Sequence, residues 1–525
     1  MTKFSTKLYV FTFNVLKYIS LFFSFFLLLC GLMFTSTDLD ITTLPTTITA
    51  DNFALNILTL LFFLPVFFLL KIPCKKHGAL TVRILMTVTL AFYTVFGILL
   101  ILFAKSIPHT DSLFVYEIAL DCAQNNFDAI NPSDYLSVYP HQTGLVLFYE
   151  ILIRFFYLLG IENHLYMWLQ AFNLLLALIM IYFMYRIIDK LFKSSYISAC
   201  YFVLILFCFP LLLYALRVYG DIPSISLFTV CLWTIIELAG EKTFKATNRK
   251  KRYIFLMVTG TLCLAVSVST RKTIIICIIA LLIIILLTAI YQKRFSFIIL
   301  LFCYLLVTTA TLPVITYSYE LRADNQLDDG TPALAYIAMG MQNSPRASGW
   351  YNGFNYNVYV ETGHDLAFAK MYSKKKIEEK LTCFKENPQE AFDFYIEKYL
   401  SQWCDGTYAS RELTAVTNLE RNDFFETFYG KNGGKIYIFF CNQYQNLLYL
   451  GVFIFCFTSV YSRKRKSSDM LSYVGILAAF GGFLFHLLWE ANVRAIFPYM
   501  LLLIPSAAAG MNILSDFVLH RTKKE

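Results

Sequence analysis

The feature that most constrains this chain is a series of uninterrupted apolar runs. Each is about 18 to 25 residues long, the length a helix needs to cross roughly 30 Å of hydrocarbon. A bilayer core offers no water to backbone amides, so such runs are predicted to be helices. They lie at about residues 14–35, 53–72, 80–104, 165–187, 195–216, 222–240, 253–270, 273–291, 295–317, 436–460, 470–489 and 495–516. Composition agrees: 58% of residues are hydrophobic and 15% charged, whereas soluble domains are a little under half apolar. The first run is too long for a signal-peptide core and lacks a small-residue cleavage site, so it reads as a span. The expected fold is an all-α polytopic membrane protein with about twelve transmembrane helices.

A net charge of +9 could suggest nucleic acid, but the basic residues sit in short clusters between the apolar runs. These are Lys3 and Lys7, Lys71 to Arg83, Lys190 and Lys193, Lys242 to Arg252, Lys293 and Arg294, Arg463 to Lys466, and Arg521 to Lys524. All fall on one side if every run spans. Cytoplasmic loops are enriched in Lys and Arg, so both termini are expected in the cytoplasm of a cell-membrane protein, with no nucleic acid partner. The exterior then receives two long segments. One is the first outer loop, 105–164, within an N-terminal transmembrane module of residues 1–317. The other, 318–435, is expected to be a small extracellular α-rich domain with a helical stretch from Lys370 to Lys398. The C-terminal transmembrane helices occupy 436–525. Thirteen cysteines lie mostly inside apolar runs as small hydrophobes. Cys383 and Cys404, in the large loop, are left open between a disulfide and free thiols.

Polar residues just clear of the apolar runs are the candidates for chemistry. Asp111 opens a helical stretch between Thr110 and Ser112. That placement suits an N-cap first, and beside it a carboxylate at the bilayer surface acting as general base. Asp121 and Asp134 are further acids of the same loop. Tyr139-Pro140-His141-Gln142-Thr143-Gly144 forms a sharp turn, in which His141 and Gln142 read either as turn hydrogen-bonders or as ligand contacts. It leads into an amphipathic helix from Leu145 to Leu159, whose Glu150 and Arg154 suit a helix lying in the interface plane. Short outer turns hold Arg217 and Asp221, Arg271 and Lys272, and Glu490 and Arg494. Basic residues are disfavoured on this side, which raises a functional reading of Arg271 and Lys272 beside ordinary snorkelling. Asp221 also suits an N-cap for a helix beginning at Pro223. Glu490 and Arg494, four apart, suit a simple ion pair.

In chain order the features are an early loop aspartate, juxtamembrane helices, Tyr139-Pro140-x-Gln142-x-Gly144, and a following span with Asn173. Then come Arg217-Val-Tyr219-Gly220-Asp221-Ile-Pro223 and Ser269-Thr-Arg271-Lys272. Ile337-Ala-Met-Gly340 and Gly349-Trp350-Tyr-Asn352-Gly353 lie in the large loop, and Trp489-Glu490-Ala-Asn-Val-Arg494-Ala-Ile-Phe497-Pro498 follows near the C-terminus. This order resembles the GT-C superfamily of membrane glycosyltransferases. It is most similar to the family 39 group (protein-mannosyltransferase and aminoarabinose-transferase type) from Gram-positive bacteria.

The resemblance implies a GT-C-like fold and transfer of a sugar from a lipid-linked, undecaprenyl-phosphate-like donor to a glycan or protein acceptor, with inversion and without a cofactor. It implies Asp111 as general base, with Asp134 and Asp121 behind it, and Asp221 orienting the acceptor or supporting the site. Arg271, Lys272 and then Arg217 would bind the phosphate, and Tyr139, His141, Gln142, Glu490 and Arg494 the rest of the substrates. The chain departs from the family in one respect. Many members carry an Asp-Glu pair in the first loop, whereas Ser112 follows Asp111 here and Glu117 lies more than a turn away.

No metal is expected, since the seven histidines are scattered and no CxxC occurs. Neither Walker A nor GxGxxG is present, which argues against a nucleotide-driven mechanism. Two rivals frame this reading. A polymerase or ligase acting on lipid-diphosphate-linked glycans would want more outer arginines. A secondary transporter or flippase would show inverted repeats and charges at midplane, yet these spans hold few ionisable residues away from their ends.

Overall fold

The computed structural model describes residues 3–37, 46–104, 106–132, 134–240, 247–292, 294–415, 431–461 and 470–521. Nine helices among them are long and apolar enough to cross a membrane, so the chain is an all-α polytopic membrane protein. Helix α1 (Lys3–Met33) covers the first apolar run. Helix α2 (Phe53–Ala104) carries the next two runs as a pair of arms parted at His77, whose φ of −142° and ψ of 52° are not helical. The first-loop helices are α3 (Asp111–Ala123), α4 (Tyr135–Val138) and α5 (Thr143–Leu158). The bundle continues through α6 (Leu165–Phe192), α7 (Ser195–Leu206), α8 (Phe209–Tyr214), α9 (Asp221–Gly240), α10 (Thr247–Thr270), α11 (Ile275–Gln292) and α12 (Phe295–Ala323). The large loop folds as α13 (Ala333–Gly340), α14 (Phe354–Val360), α15 (Leu366–Glu386), α16 (Pro388–Trp403) and α17 (Ser410–Ala415). Helices α18 (Lys431–Tyr461), α19 (Val474–Leu488) and α20 (Val493–Arg521) complete the bundle.

The departures from the expected elements have local causes. The apolar run 195–216 is two helices, because Pro210 lacks the amide hydrogen that would continue α7 and instead sits in the first turn of α8. The stretch Lys370 to Lys398 is likewise divided at Asn387-Pro388, where the Asn387 side chain caps α16 by accepting the Glu390 N–H at 3.3 Å. A hairpin was not expected at all. β1 (Phe34–Thr37) pairs antiparallel with β2 (Thr47–Ala50), in a segment of β-branched threonines. It is tied to the large loop by Ser36 N–H to the Cys404 carbonyl (2.9 Å) and Thr46 N–H to the Arg346 carbonyl (3.0 Å). Cys383 and Cys404 are free thiols: Cys383 donates to Glu390 at 3.2 Å, and Cys404 is buried at the end of α16.

One end of the bundle gathers basic residues. Lys190 and Arg252 meet Glu237 at 3.0 and 2.8 Å, Arg294 donates to the Leu238 carbonyl at 3.1 Å, and Lys71 pairs with Asp516. The clusters Lys242 to Ala246, Arg463 to Lys466 and Thr522 to Glu525 lie outside the described residues.

At the other end, the charges of α5 turn to protein partners while Ile151, Phe155 and Leu158 stay exposed. Glu150 is buried and takes Tyr319 Oη at 2.6 Å, Arg322 at 2.7 and 3.1 Å, and Arg154 at 3.0 Å. Arg322 in turn lies over the rings of Phe127 and Tyr319, at 4.6 and 4.4 Å. One carboxylate therefore joins α5 to α12 and, through Arg154 to the Cys122 carbonyl, to α3. Removing the carboxylate leaves Arg322 and Arg154 unpaired, and since both are about a third exposed (34% and 37%) water takes up part of their charge, at about 1.5–3 kcal/mol. Glu150→Ala is accordingly expected to lower thermal stability in detergent by that order, while Glu117→Ala, on the exposed face of α3, leaves melting unchanged.

Candidate functional site

The end of the bundle opposite the basic residues is built from four separate turns. They are the start of α3, the α8–α9 turn, the α10–α11 turn and the α19–α20 turn. Backbone geometry fixes how closely they approach. A Cβ on Gly144 would strike the Ser269 carbonyl, and one on Gly220 would strike the Thr270 carbonyl, so both glycines press against the end of α10 just before Arg271. The α8–α9 turn is also held by side chains within the bundle. Gln170 and Asn173 of α6 donate to the Leu216 and Arg217 carbonyls, each at 2.7 Å, and Tyr149 of α5 to the Tyr219 carbonyl at 3.2 Å. Amides buried in an apolar helix are costly unless bonded, and here they satisfy the backbone of an interrupted helix.

Asp221 stands at the centre of this junction, 2% exposed. Arg271 pairs with it directly, and Arg217 and Arg494 approach at 3.9 and 4.0 Å. The ring of Tyr219 lies against the last two guanidiniums, 5.2 Å from Arg217 and 5.0 Å from Arg494. Gln142 donates to the Tyr219 hydroxyl at 2.5 Å. Burial lowers the Arg217 and Arg271 guanidiniums to about 10, so both remain charged at neutral pH. Three cations thus surround one carboxylate, and the N-cap role foreseen for Asp221 is replaced by ion pairing.

Two further acids border this cationic centre. Asp111 is the first residue of α3 and does not cap it; Thr110 holds the cap position without a side-chain bond. Its carboxylate makes no hydrogen bond or ion pair among the described residues, yet lies within electrostatic reach of Tyr219, Tyr336 and Glu490. Glu490 is half-buried, and Arg494 closes on Asp221 instead of forming the expected pair with it. Burial pushes the Glu490 carboxyl up to about 7, helped by Asp111 and opposed by Arg494, the Asn492 side chain and Lys398.

The large loop seats the α19–α20 turn. Lys398, 2% exposed, donates to the carbonyls of Gly340, Leu487 (3.1 Å) and Trp489 (2.8 Å). Burial lowers its ammonium to about 7. Ala491 N–H reaches the Gly349 carbonyl at 2.7 Å, and Gln402 the Asn492 carbonyl at 3.2 Å. Tyr336 stacks on Trp489 with centroids 5.0 Å apart and planes at 6°, giving the site an aromatic wall.

Other residues singled out in the sequence lie around this centre. Lys272 is exposed and close to His141, which burial and that lysine lower to about 4, leaving it neutral. Tyr139 packs against Tyr135 at 5.2 Å. Asp134 is engaged by the Asn131 amide in its own turn. Asp121 lies ten residues along α3 from Asp111, about 15 Å by helical rise. Sequence reasoning passed over Tyr219, although it sits inside a motif already marked, and Lys398, a lone lysine in an amphipathic helix that gives no signal. Among the described residues no group of three or more His, Cys, Asp or Glu could hold a metal ion. No protein-family model matches the chain, and none of the curated proteins matches its sequence.

The raised Glu490 carboxyl has a consequence for stability. Between about 4.5 and 7 the folded chain holds a proton that the unfolded chain has released. Stability from this group is therefore full below about 4.5, falls as pH rises to 7, and is flat above, a loss of about 3 kcal/mol at most. The melting temperature of Glu490→Gln relative to that of the wild type should rise as pH goes from 5 to 8, since His141 and Lys398 contribute alike to both; parallel profiles would contradict the shift.

Proposed function

We propose that this protein is a membrane glycosyltransferase of GT-C type, similar to the family 39 group, that takes a sugar from a polyprenyl-phosphate donor. Both arms of α2, the broken α7–α8 pair and α19 count as crossings in this reading, for twelve in all. The basic end faces the cytoplasm and the arginine-lined end the exterior. One observation carries the proposal: three arginines, one buried and two largely so, and an aspartate without a hydrogen bond or ion pair among the described residues, from four turns distant in sequence, converge at one end of an apolar bundle.

The chemistry follows from that placement. The donor tail lies among lipid, so its phosphate arrives at the level of Arg271, Arg217 and Arg494. Asp221 neutralises part of their mutual repulsion and holds them in place, leaving excess positive charge for an anion. The acceptor hydroxyl attacks the anomeric carbon as its proton passes to the Asp111 carboxylate. The bond from that carbon to the phosphate oxygen breaks, and its electron pair leaves with the polyprenyl phosphate. Attack opposite to the leaving group inverts the anomeric centre. Glu490, raised to about 7, is partly protonated at neutral pH, and in that form preserves the cationic character of the site and donates a hydrogen bond to substrate. The arginines stabilise charge that grows on the leaving oxygen, and this stabilisation is larger in a site that excludes water. Incubating the purified protein in nanodiscs with labelled polyprenyl-phosphate sugars and an envelope acceptor fraction tests the reading. Label moving to the acceptor with release of polyprenyl phosphate supports it.

A further inference from the structure

A second concave site lies in the large loop, away from the arginine centre. It is a groove of about 590 Å³ between α14, α15 and the residues after α13, within the size range of small-ligand sites. One wall is aromatic. Phe354 and Phe368 both stack against Tyr372, with centroids 6.2 and 5.7 Å away and planes at 20° and 9°. The same lining includes the polar side chains of Asn357, Glu361 and Gln342. The lining charges cancel: Lys376 and Lys380 balance Glu361 and Glu379, and Lys376 already pairs with Glu379 at 2.9 Å.

The exposed ring of Phe368 beside amides and carboxylates, without net charge, matches one ligand chemistry. The C–H face of a sugar ring, with its slightly positive hydrogens, packs on the negative face of an aromatic ring. Its hydroxyls both donate and accept, as Asn, Gln and Glu side chains require. A polyanionic polymer would find no surplus cation here. An extended peptide would find no open strand edge, since the one described sheet is the β1–β2 hairpin.

The position of the groove links it to the first site. Helix α14 lies between them: Asn357 and Glu361 line the groove, while Tyr356 is within electrostatic reach of Tyr139 and Tyr351 at the mouth of the arginine centre. Helix α13 does the same, with Tyr336 against Trp489 and Gln342 in the groove just beyond its end. A helix is about 10–12 Å across, a distance that two or three sugar units cover.

We propose that this groove binds a neutral oligosaccharide and, on the transferase reading above, holds the acceptor glycan so that its end reaches Asp111. The acceptor is then a glycan chain and not a protein.

The test measures binding without donor, so that it is independent of turnover. Full-length protein in nanodiscs is titrated with neutral linear hexasaccharides of glucose, galactose, mannose and N-acetylglucosamine, using saturation-transfer NMR and calorimetry. At least one is expected to bind, with affinity reduced tenfold or more in Phe368→Ala and in Asn357→Ala, both exposed positions that leave the fold intact. Failure of every hexasaccharide to bind, equal binding by the groove variants, or competition by extended peptides would overturn the proposal. A hexasaccharide that binds in the groove while no donor is consumed supports the groove and removes the transferase reading. Sugar transfer that is insensitive to Phe368→Ala and Asn357→Ala removes the groove alone.

Discussion

Asp111→Asn is expected to lower the rate of sugar transfer by about 10²- to 10⁴-fold, the contribution typical of a positioned general base. The substitution keeps shape and removes only the ability to accept a proton. Because the Asp111 carboxylate makes no hydrogen bond or ion pair with any described residue, the fold has little reason to respond, and melting should be unchanged. The loss should fall on kcat, with the KM for donor within about twofold, since Asp111 interacts with the acceptor proton in the transition state. Measuring kcat, KM and melting on one preparation checks all three. A large rise in donor KM with unaltered kcat would move the base elsewhere, with Asp221 too enclosed by arginines to serve and Asp134 held by Asn131.

Arg271→Gln is expected to reduce kcat/KM by about 10²- to 10³-fold, as removal of one stabilising donor at a developing oxyanion does elsewhere. Arg271→Lys should recover only part of this, because an ammonium keeps the charge and loses the two-pronged geometry that phosphate favours. A structural explanation is available as well, since Arg271 is the direct partner of the buried Asp221. The double variant Arg271→Gln/Asp221→Asn separates the two. If Arg271 served only to satisfy Asp221, neutralising both partners would restore activity; if it binds phosphate, the double variant stays as impaired as the single one.

Much of the architecture was legible because a bilayer leaves the chain so few options. Runs long enough to span, such as 165–187 and 273–291, became helices close to their predicted limits, since the length and polarity of the chain decide this locally. The breaks were less visible. Pro210 and Pro388 each mark a helix start, but a proline within an apolar or helical stretch reads equally as a kink. The β1–β2 hairpin depends on α16 and Arg346, partners more than 290 residues away, and no local pattern announces them.

The candidate site was legible as separate motifs and not as an arrangement. Asp221, Arg271 and Arg494 stood out because charges at span ends on the less basic side need a reason. That all three share one junction depends on how Gly144 and Gly220 let α5 and the α8–α9 turn close on α10. Glu490 and Arg494 show the limit of spacing arguments. Four residues apart they suit an ion pair, yet Arg494 turns to Asp221, where two other guanidiniums already converge. The burial of Glu150 escaped for a similar reason, because its partners Tyr319 and Arg322 come from the far end of α12.

The central claim is that the arginine-lined junction transfers sugar from a lipid monophosphate, and one measurement addresses it most directly. Purified wild-type protein in nanodiscs is given a panel of radiolabelled polyprenyl-phosphate sugars with an envelope acceptor fraction, and donor consumption, polyprenyl phosphate and the anomeric configuration of the product are followed. The expected result is consumption of at least one donor, release of polyprenyl phosphate, and a product of inverted configuration, all lost in Asp111→Asn. A folded wild-type protein that consumes no donor in the panel, or transfer with retained configuration, would contradict the account.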